Sequence, residues 1–153
     1  MEKEYLSQEK YEELQRELEF LRKDKRKQVA ERLENARSLG DLSENAEYHA
    51  ARDEQAVVEA RIEKLKDMLK RAEIIKPQKK NEVVVGSLVV LRKKGEKDEN
   101  QYQIVGSEES DLANNKISYQ SPLGAALLGK KKKEEFSFET PKGKVDYIVV
   151  DLK

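Results

Sequence analysis

Two runs of apolar residues at threes and fours, parted by one short stretch from Ala36 to Tyr48, constrain this chain more than any other feature. The first run is Tyr11, Leu14, Leu18 and Leu21; past a break at Lys25 it resumes with Val29, Leu33 and Ala36. The second is Ala46, Ala50, Val57 or Val58, Ile62, Leu65, Leu69 and Ala72. Such spacing lays a stripe along one helix face and is the seam of a coiled coil. Ser7 can cap the first helix. Gly40 can end it, because glycine takes the left-handed C-terminal position without steric cost. Folded back on itself, the chain sets Leu21 opposite Ile62, Leu18 opposite Leu65, Leu14 opposite Leu69 and Leu33 opposite Ala50. One register serving both ends predicts an antiparallel helical hairpin, about 40 Å from Tyr11 to Arg37 at roughly 1.5 Å per residue. The seam shrinks to Ala36, Ala46 and Ala50 at the turn, which predicts a slender tip.

Of 153 residues, 41% are charged and 6% aromatic, too charged for one compact core of this length. A solvated hairpin plus a small globule suits that balance. With 31 basic and 31 acidic residues, bulk nucleic-acid binding is not implied. Without cysteine there is no disulfide framework and no thiolate metal site. No apolar run approaches a membrane span and no signal peptide opens the chain, so a soluble, cytoplasmic protein without a membrane partner is expected.

Past residue 76 the pattern changes from helical to extended. Pro77-Gln78-Lys79-Lys80-Asn81 reads as a linker. Strands are predicted at Glu82–Val85 and Ser87–Arg92, parted by Gly86, then at Gln101–Val105 and Ile117–Gln120, with a charged turn over Lys93–Asn100. Pro122 opens a short helix that stops at Gly129, and Phe136–Glu139 and Val145–Leu152 make a last hairpin. The expected fold class is α+β: an antiparallel coiled-coil hairpin over 1–76, a linker at 77–81, and a small antiparallel sheet with one short helix over 82–153.

The turn of the hairpin carries Asp41 and Glu44. Their spacing fits a capping box, with Asp41 capping the second helix and Glu44 turning back to the Asp41 backbone N–H; Ser43 offers a second cap. Their chemistry also suits magnesium. Mg²⁺ keeps several waters and is commonly held by one or two carboxylates plus substrate phosphates. Two-metal phosphoryl hydrolysis uses a second ion to activate water and stabilise the leaving oxygen. Two acids on an exposed turn can complete such a site but hardly form one alone. Arg37 lies just before the turn, and Arg52 about two turns past Glu44. Both can present charge to a phosphate-bearing strand end; ion pairing with Glu34 or Glu47 is the alternative. The basic run Arg22–Lys27 and the lysines Lys130–Lys133 read as solvated surface, and His49, the only histidine, as neither ligand nor acid–base group.

Gly40-Asp41-Leu42-Ser43-Glu44-Asn45-Ala46-Glu47-Tyr48 resembles the tip signature of the bacterial Gre transcript-cleavage factors, and Ile117–Lys130 resembles their C-terminal signature. Order and spacing of both segments fit over nearly the whole chain, with length and balanced charge pointing to the GreA branch. The resemblance implies an FKBP-like C-terminal domain. It implies that the hairpin enters the secondary channel of RNA polymerase, where Asp41 and Glu44 help hold the second Mg²⁺ and position the attacking water. The polymerase's own site then hydrolyses the 3′ end of backtracked RNA, so the factor has no active site of its own and binds no cofactor tightly alone. By the same resemblance Arg37 and Arg52 match a basic patch that contacts the extruded RNA, and Ser121, Pro122, Leu123 and Gly124 are the candidate polymerase-docking contact near the channel entrance. Apart from the resemblance, a simple helix-start turn is the preferred reading of those four residues. A monomer is expected.

One departure stands out: where the family usually turns through Gly-Asp after Gly129, this chain runs Lys130-Lys131-Lys132-Lys133-Glu134-Glu135. Rival functions are an inhibitory Gre paralogue that occludes the channel, an FKBP-like prolyl isomerase, and a plain coiled-coil adaptor. Intact tip acids favour a cleavage factor over the inhibitor. An isomerase pocket needs several aromatics, and Tyr102, Tyr119, Phe136, Phe138 and Tyr147 read as core. The adaptor leaves the paired acids unexplained.

Overall fold

The computed structural model describes residues 2–76 and 81–153; most of the predicted linker lies outside the described residues. The chain forms two compact units, one of residues 9–72 and one of residues 2–8 with 73–153. The first few residues, expected with the hairpin over 1–76, cluster with the second unit.

The first unit is the hairpin: α1 (Gln8–Phe20), α2 (Arg26–Arg37) and α3 (Ala46–Arg71). Between α1 and α2 the backbone takes a π-helical turn at Leu21–Lys25. Such a turn inserts one extra residue into a helix. It carries the seam past Lys25, which pairs with Glu54 at 2.8 Å instead of filling a core position. Val29, Leu33 and Ala36 are buried as expected, together with Tyr48, Ala51, Val58 and Ile62. Across the hairpin, Arg26 grips Glu59 with two bonds of 2.7 Å, and Arg61 grips Glu17 with bonds of 2.7 and 2.9 Å.

On α3 the seam departs from the expected one at both ends, by one or two residues. Ala51 is buried and Ala50 exposed; Met68 is buried and Leu69 only partly; Tyr48 is buried and Ala46 exposed. Val58 faces in, and Val57 is 69% exposed. Adjacent apolar pairs leave the phase of a 3.6-residue helix undetermined, and packing against α2 selects one member. The turn is therefore not lined by small residues alone, since an aromatic ring is buried there.

The second unit holds a five-stranded sheet in the order β5-β4-β3-β7-β6, built from β3 (Leu88–Lys93), β4 (Glu99–Val105), β5 (Lys116–Ser118), β6 (Glu135–Thr140) and β7 (Gly143–Leu152). All pairings are antiparallel except β4 with β5, which is parallel, so the sheet is mixed at one edge. Val89 and Leu91 alternate with less buried neighbours along β3, the period-two pattern of a half-buried strand. They join Val83, Ile104, Ile117, Leu127, Phe136 and Val149 in one core. Leu127 comes from α4 (Pro122–Leu127).

No strand forms at Glu82–Val85. Only Glu82 bridges, to Lys131. Val83 is buried, donating to the Lys130 carbonyl and accepting from Gly129 N–H, and the chain then turns through Gly86 at φ +101°. Two short strands, β1 (Glu4–Leu6) and β2 (Ala72–Ile74), pair as a separate ribbon. Residues 2–8 are seated on the second unit by Tyr5, whose ring meets Tyr119 edge-on at 5.2 Å, and by Ser7, whose N–H and hydroxyl both donate to Glu109. Ser7 thus stands before α1 as expected, with its hydroxyl proton committed to the globule.

Candidate functional site

Helix α2 ends at Arg37 and α3 begins at Ala46, so the tip is the loop of residues 38–45. Gly40 turns the loop at φ +128°, a backbone conformation that favours glycine. Neither Asp41 nor Ser43 caps α3. Asn45 does, its Oδ1 accepting from Tyr48 N–H at 3.1 Å. The other end of the same side chain donates to the Ala36 carbonyl at 2.6 Å, joining the end of α2 to the start of α3. An asparagine has a donor and an acceptor on one head group, and both are used here.

The expected capping box is therefore absent, and both acids are released from it. Asp41 Oδ1 accepts from the Ser43 N–H and hydroxyl, each at 3.0 Å. The backbone bond first, and then the hydroxyl, hold its carboxyl below the usual carboxylate range, so it is anionic at neutral pH. Glu44 is exposed and makes no side-chain hydrogen bond or ion pair among the described residues. His49 has a local task that its isolation in the sequence concealed: its Nε2 donates to the Ser43 carbonyl at 3.2 Å, tying the acidic loop to α3.

Arg37 and Arg52 are brought together by a residue that sequence reasoning passed over. The Arg37 guanidinium lies 5.8 Å from the centroid of the Tyr48 ring, and that of Arg52 lies 5.9 Å from the same centroid. Neither pairs with a carboxylate among the described residues. Glu47, one expected partner, goes instead to Arg32, which also holds Glu54 at 2.6 Å. The tip thus carries two acids and two unneutralised guanidiniums within a few turns of one another. The signal for Tyr48 was present, an aromatic one helical turn before Arg52, but it was hidden by the expectation of a small-residue seam.

No group of three or more His, Asp or Glu side chains gathers as a metal cage among the described residues. The tip offers the free Glu44 carboxylate and the second oxygen of Asp41. That set fits a contribution to an ion held mainly by other groups, because Mg²⁺ retains waters and takes carboxylates singly.

Of the four candidate docking residues, two have internal roles. Ser121 caps α4, accepting from Gly124 N–H at 3.1 Å and donating to the Ser118 carbonyl at 2.6 Å. Gly124 is buried so close to that carbonyl that any Cβ would collide with it. Pro122 is exposed at the first turn and Leu123 partly packs on the core. The five aromatics of a hypothetical isomerase pocket are all in or against the core, Tyr147 stacking with Phe136 and Phe138. The lysine run is partly neutralised, Lys130 by Glu134 and Lys132 by Asp151.

A long helical hairpin with an acid-bearing tip, followed by a small sheet domain carrying a short α-helix, makes a two-part protein with two acids and two arginines gathered about one turn. Residues 4–74 match the family model described as transcription elongation factor, N-terminal, and residues 78–153 match that of transcription elongation factor, GreA/GreB, C-terminal. The chain belongs to the GreA/GreB family of bacterial transcription elongation factors. It is 46% identical over 150 residues to a transcription elongation factor GreA of Clostridioides difficile, covering 97% of this chain and 94% of the relative. With that of Thermosipho melanesiensis it shares 42% over 149 residues, covering 97% and 96%. Among solved structures it is similar to GreA factor homolog 1 of Thermus thermophilus, at 31% identity, 99% coverage of both chains and a TM-score of 0.46.

Proposed function

We propose that this chain delivers Asp41 and Glu44 through the secondary channel of bacterial RNA polymerase and stimulates the polymerase's own hydrolysis of the 3′ end of backtracked RNA. On this reading the chain is not itself an enzyme. The observation that carries it is the release of both acids from helix capping by Asn45. A cap would hold a tip carboxylate against the first N–H groups of α3; here Glu44 is free, and Asp41 bonds only within its loop, to Ser43, and keeps one oxygen unused.

The Ser43 bonds fix Asp41 as an anion aimed by its own loop. Glu44, unconstrained, adjusts to the site it enters. Together they hold and orient a water-bearing cation whose other ligands belong to the polymerase. Mg²⁺ bound there supplies an activated water and charge neutralisation at the leaving oxygen. Arg37 and Arg52 take phosphates of the extruded strand, since neither charge is spent on a carboxylate. The second unit docks near the channel entrance, with Pro122 as its exposed contact and Ser121 and Gly124 holding that turn in shape.

The experiment uses a backtracked polymerase complex with labelled RNA and Mg²⁺. Intact protein should release short 3′ fragments, and Asp41→Asn or Glu44→Gln should lower the rate by about one to two orders of magnitude while binding is retained. Variants that cleave as well as the parent would reduce the acids to loop structure. A parent that binds tightly and cleaves nothing would instead make the protein an inhibitor that occludes the channel.

A further inference from the structure

The five arginines between residues 26 and 61 fall into two sets. Arg26, Arg32 and Arg61 each hold a carboxylate across the hairpin at 2.6–2.7 Å. Arg37 and Arg52 hold none among the described residues, and both guanidiniums sit within 6 Å of the centroid of one ring, that of Tyr48. The ring itself cannot shift freely. Tyr48 is 9% exposed, packed in the core with Ala36 and Ala51. Its backbone N–H is held by the Asn45 cap that also fixes the acidic loop.

A carboxylate partner would orient a guanidinium and neutralise it. An aromatic ring attracts the cation through its quadrupole and leaves the charge and the N–H edges unspent. Planar bidentate recognition of phosphate needs those edges, held in place before the ligand arrives. We propose that Tyr48 is a positioning residue for phosphate capture: it holds Arg37 and Arg52 as a paired clamp, set at a fixed place relative to Asp41 and Glu44. The ligand class is the phosphodiester backbone at the 3′ end of a single RNA strand. This deepens the proposed function and rests on it.

Tyr48 anchors both systems through one side chain and its own N–H. A strand seated on the two guanidiniums is therefore placed relative to the acids by the rigid first turn of α3. Loss of the ring should separate capture of the strand from the chemistry at its end: binding of the strand falls, while the maximal rate at saturating protein changes less.

The test uses the full chain with a backtracked polymerase complex whose RNA ends in a 3′ 4-thiouridine. Crosslinking to the protein is read beside cleavage, and helicity is checked for every variant. Tyr48→Leu should lower crosslinking about five- to thirtyfold, the effect of two contacts of about 0.5–1 kcal/mol each. It should raise the concentration needed for half-maximal cleavage by a similar factor. Tyr48→Phe, which keeps the ring, should recover both. In the free protein, the Arg37 and Arg52 side-chain protons should show ring-current shifts in the parent and in Tyr48→Phe. Those shifts remain readable even where the leucine variant folds poorly.

Parental crosslinking by a folded Tyr48→Leu protein overturns the proposal, as does a Tyr48→Phe protein as impaired as the leucine one. Absence of ring-current shifts in the parent overturns it too. All three results leave the cleavage reading standing. If Arg37→Ala with Arg52→Ala crosslinks like the parent, the arginine pair has no part in strand capture, and the proposal falls along with that element of the functional reading.

Discussion

Asn45 and Ala36 are joined across the mouth of the hairpin by a 2.6 Å bond from the Asn45 side-chain amide to the Ala36 carbonyl. The same amide caps α3 through Tyr48 N–H, so one residue sets both the helix start and the closure of the loop. Asn45→Ala removes both and should cost about 1–2 kcal/mol in urea denaturation. Asn45→Asp keeps the capping acceptor, but it faces the Ala36 carbonyl with no donor. Its stability should fall between parent and alanine variant; equality with the parent would show that the bond to Ala36 contributes nothing.

Gly106 is the seat of the N-terminal strand. A Cβ there would collide with the Tyr5 backbone carbonyl, and a backbone atom cannot swing aside as a side chain can. Gly106→Ala should destabilise by about 1–3 kcal/mol. Amide hydrogen exchange at residues 4–6 should accelerate more than exchange at the centre of the sheet. Uniform acceleration would mean that β1 is not held separately.

Lys133 stands at φ +71°, where a non-glycine residue is strained, and its N–H donates to the Val149 carbonyl at 2.7 Å. The left-handed conformation costs a β-carbon-bearing residue about 1–2 kcal/mol, part of which glycine returns in unfolded-state entropy. Lys133→Gly should therefore stabilise by about 0.5–1 kcal/mol, visible as a rise of about 1–4 °C in thermal midpoint. Lys131→Gly, at a position without positive φ, should not.

Acid should loosen the hairpin through its cross-helix pairs. Hydrogen bonds from Arg61 to Glu17, from Lys25 and Arg32 to Glu54, and from Arg26 to Glu59 hold these carboxyls below their ordinary range. A carboxyl lowered in the folded state stabilises the fold above its unfolded value and ceases to as pH falls through its folded one. Thermal midpoint should therefore drop as pH is taken below the ordinary glutamate value of about 4.3. Glu17→Gln should start lower at neutral pH and lose less on acidification. An unchanged slope would remove Glu17 from the explanation.

Much of this was legible in the chain. Threes and fours in apolar spacing marked the hairpin, and the acid-bearing turn and the change to extended pattern past residue 76 both stood in plain view. The family signature at Gly40–Tyr48 pointed to the same turn. At Lys130–Lys133 the absent Gly-Asp marked a loop out of the ordinary, and the structure shows the consequence as a lysine in the left-handed region.

Other features were settled only when distant residues met. Ala50 or Ala51, Val57 or Val58, and Met68 or Leu69 are equivalent to a periodicity of threes and fours, and only packing against α2 separates them. Asp41, Ser43 and Asn45 are all good caps by residue type; the Ala36 carbonyl, nine residues before Asn45, decides among them by offering its amide a second bond. Arg37 and Arg52 had nearer carboxylates in the sequence, but Arg32 takes Glu47 and leaves the pair to Tyr48. Periodicity and residue type act over one or two turns, so sequence carries them directly. Helix phase, cap choice and charge pairing are competitions among partners of similar affinity, and the winner is the one that tertiary packing brings within about 3 Å.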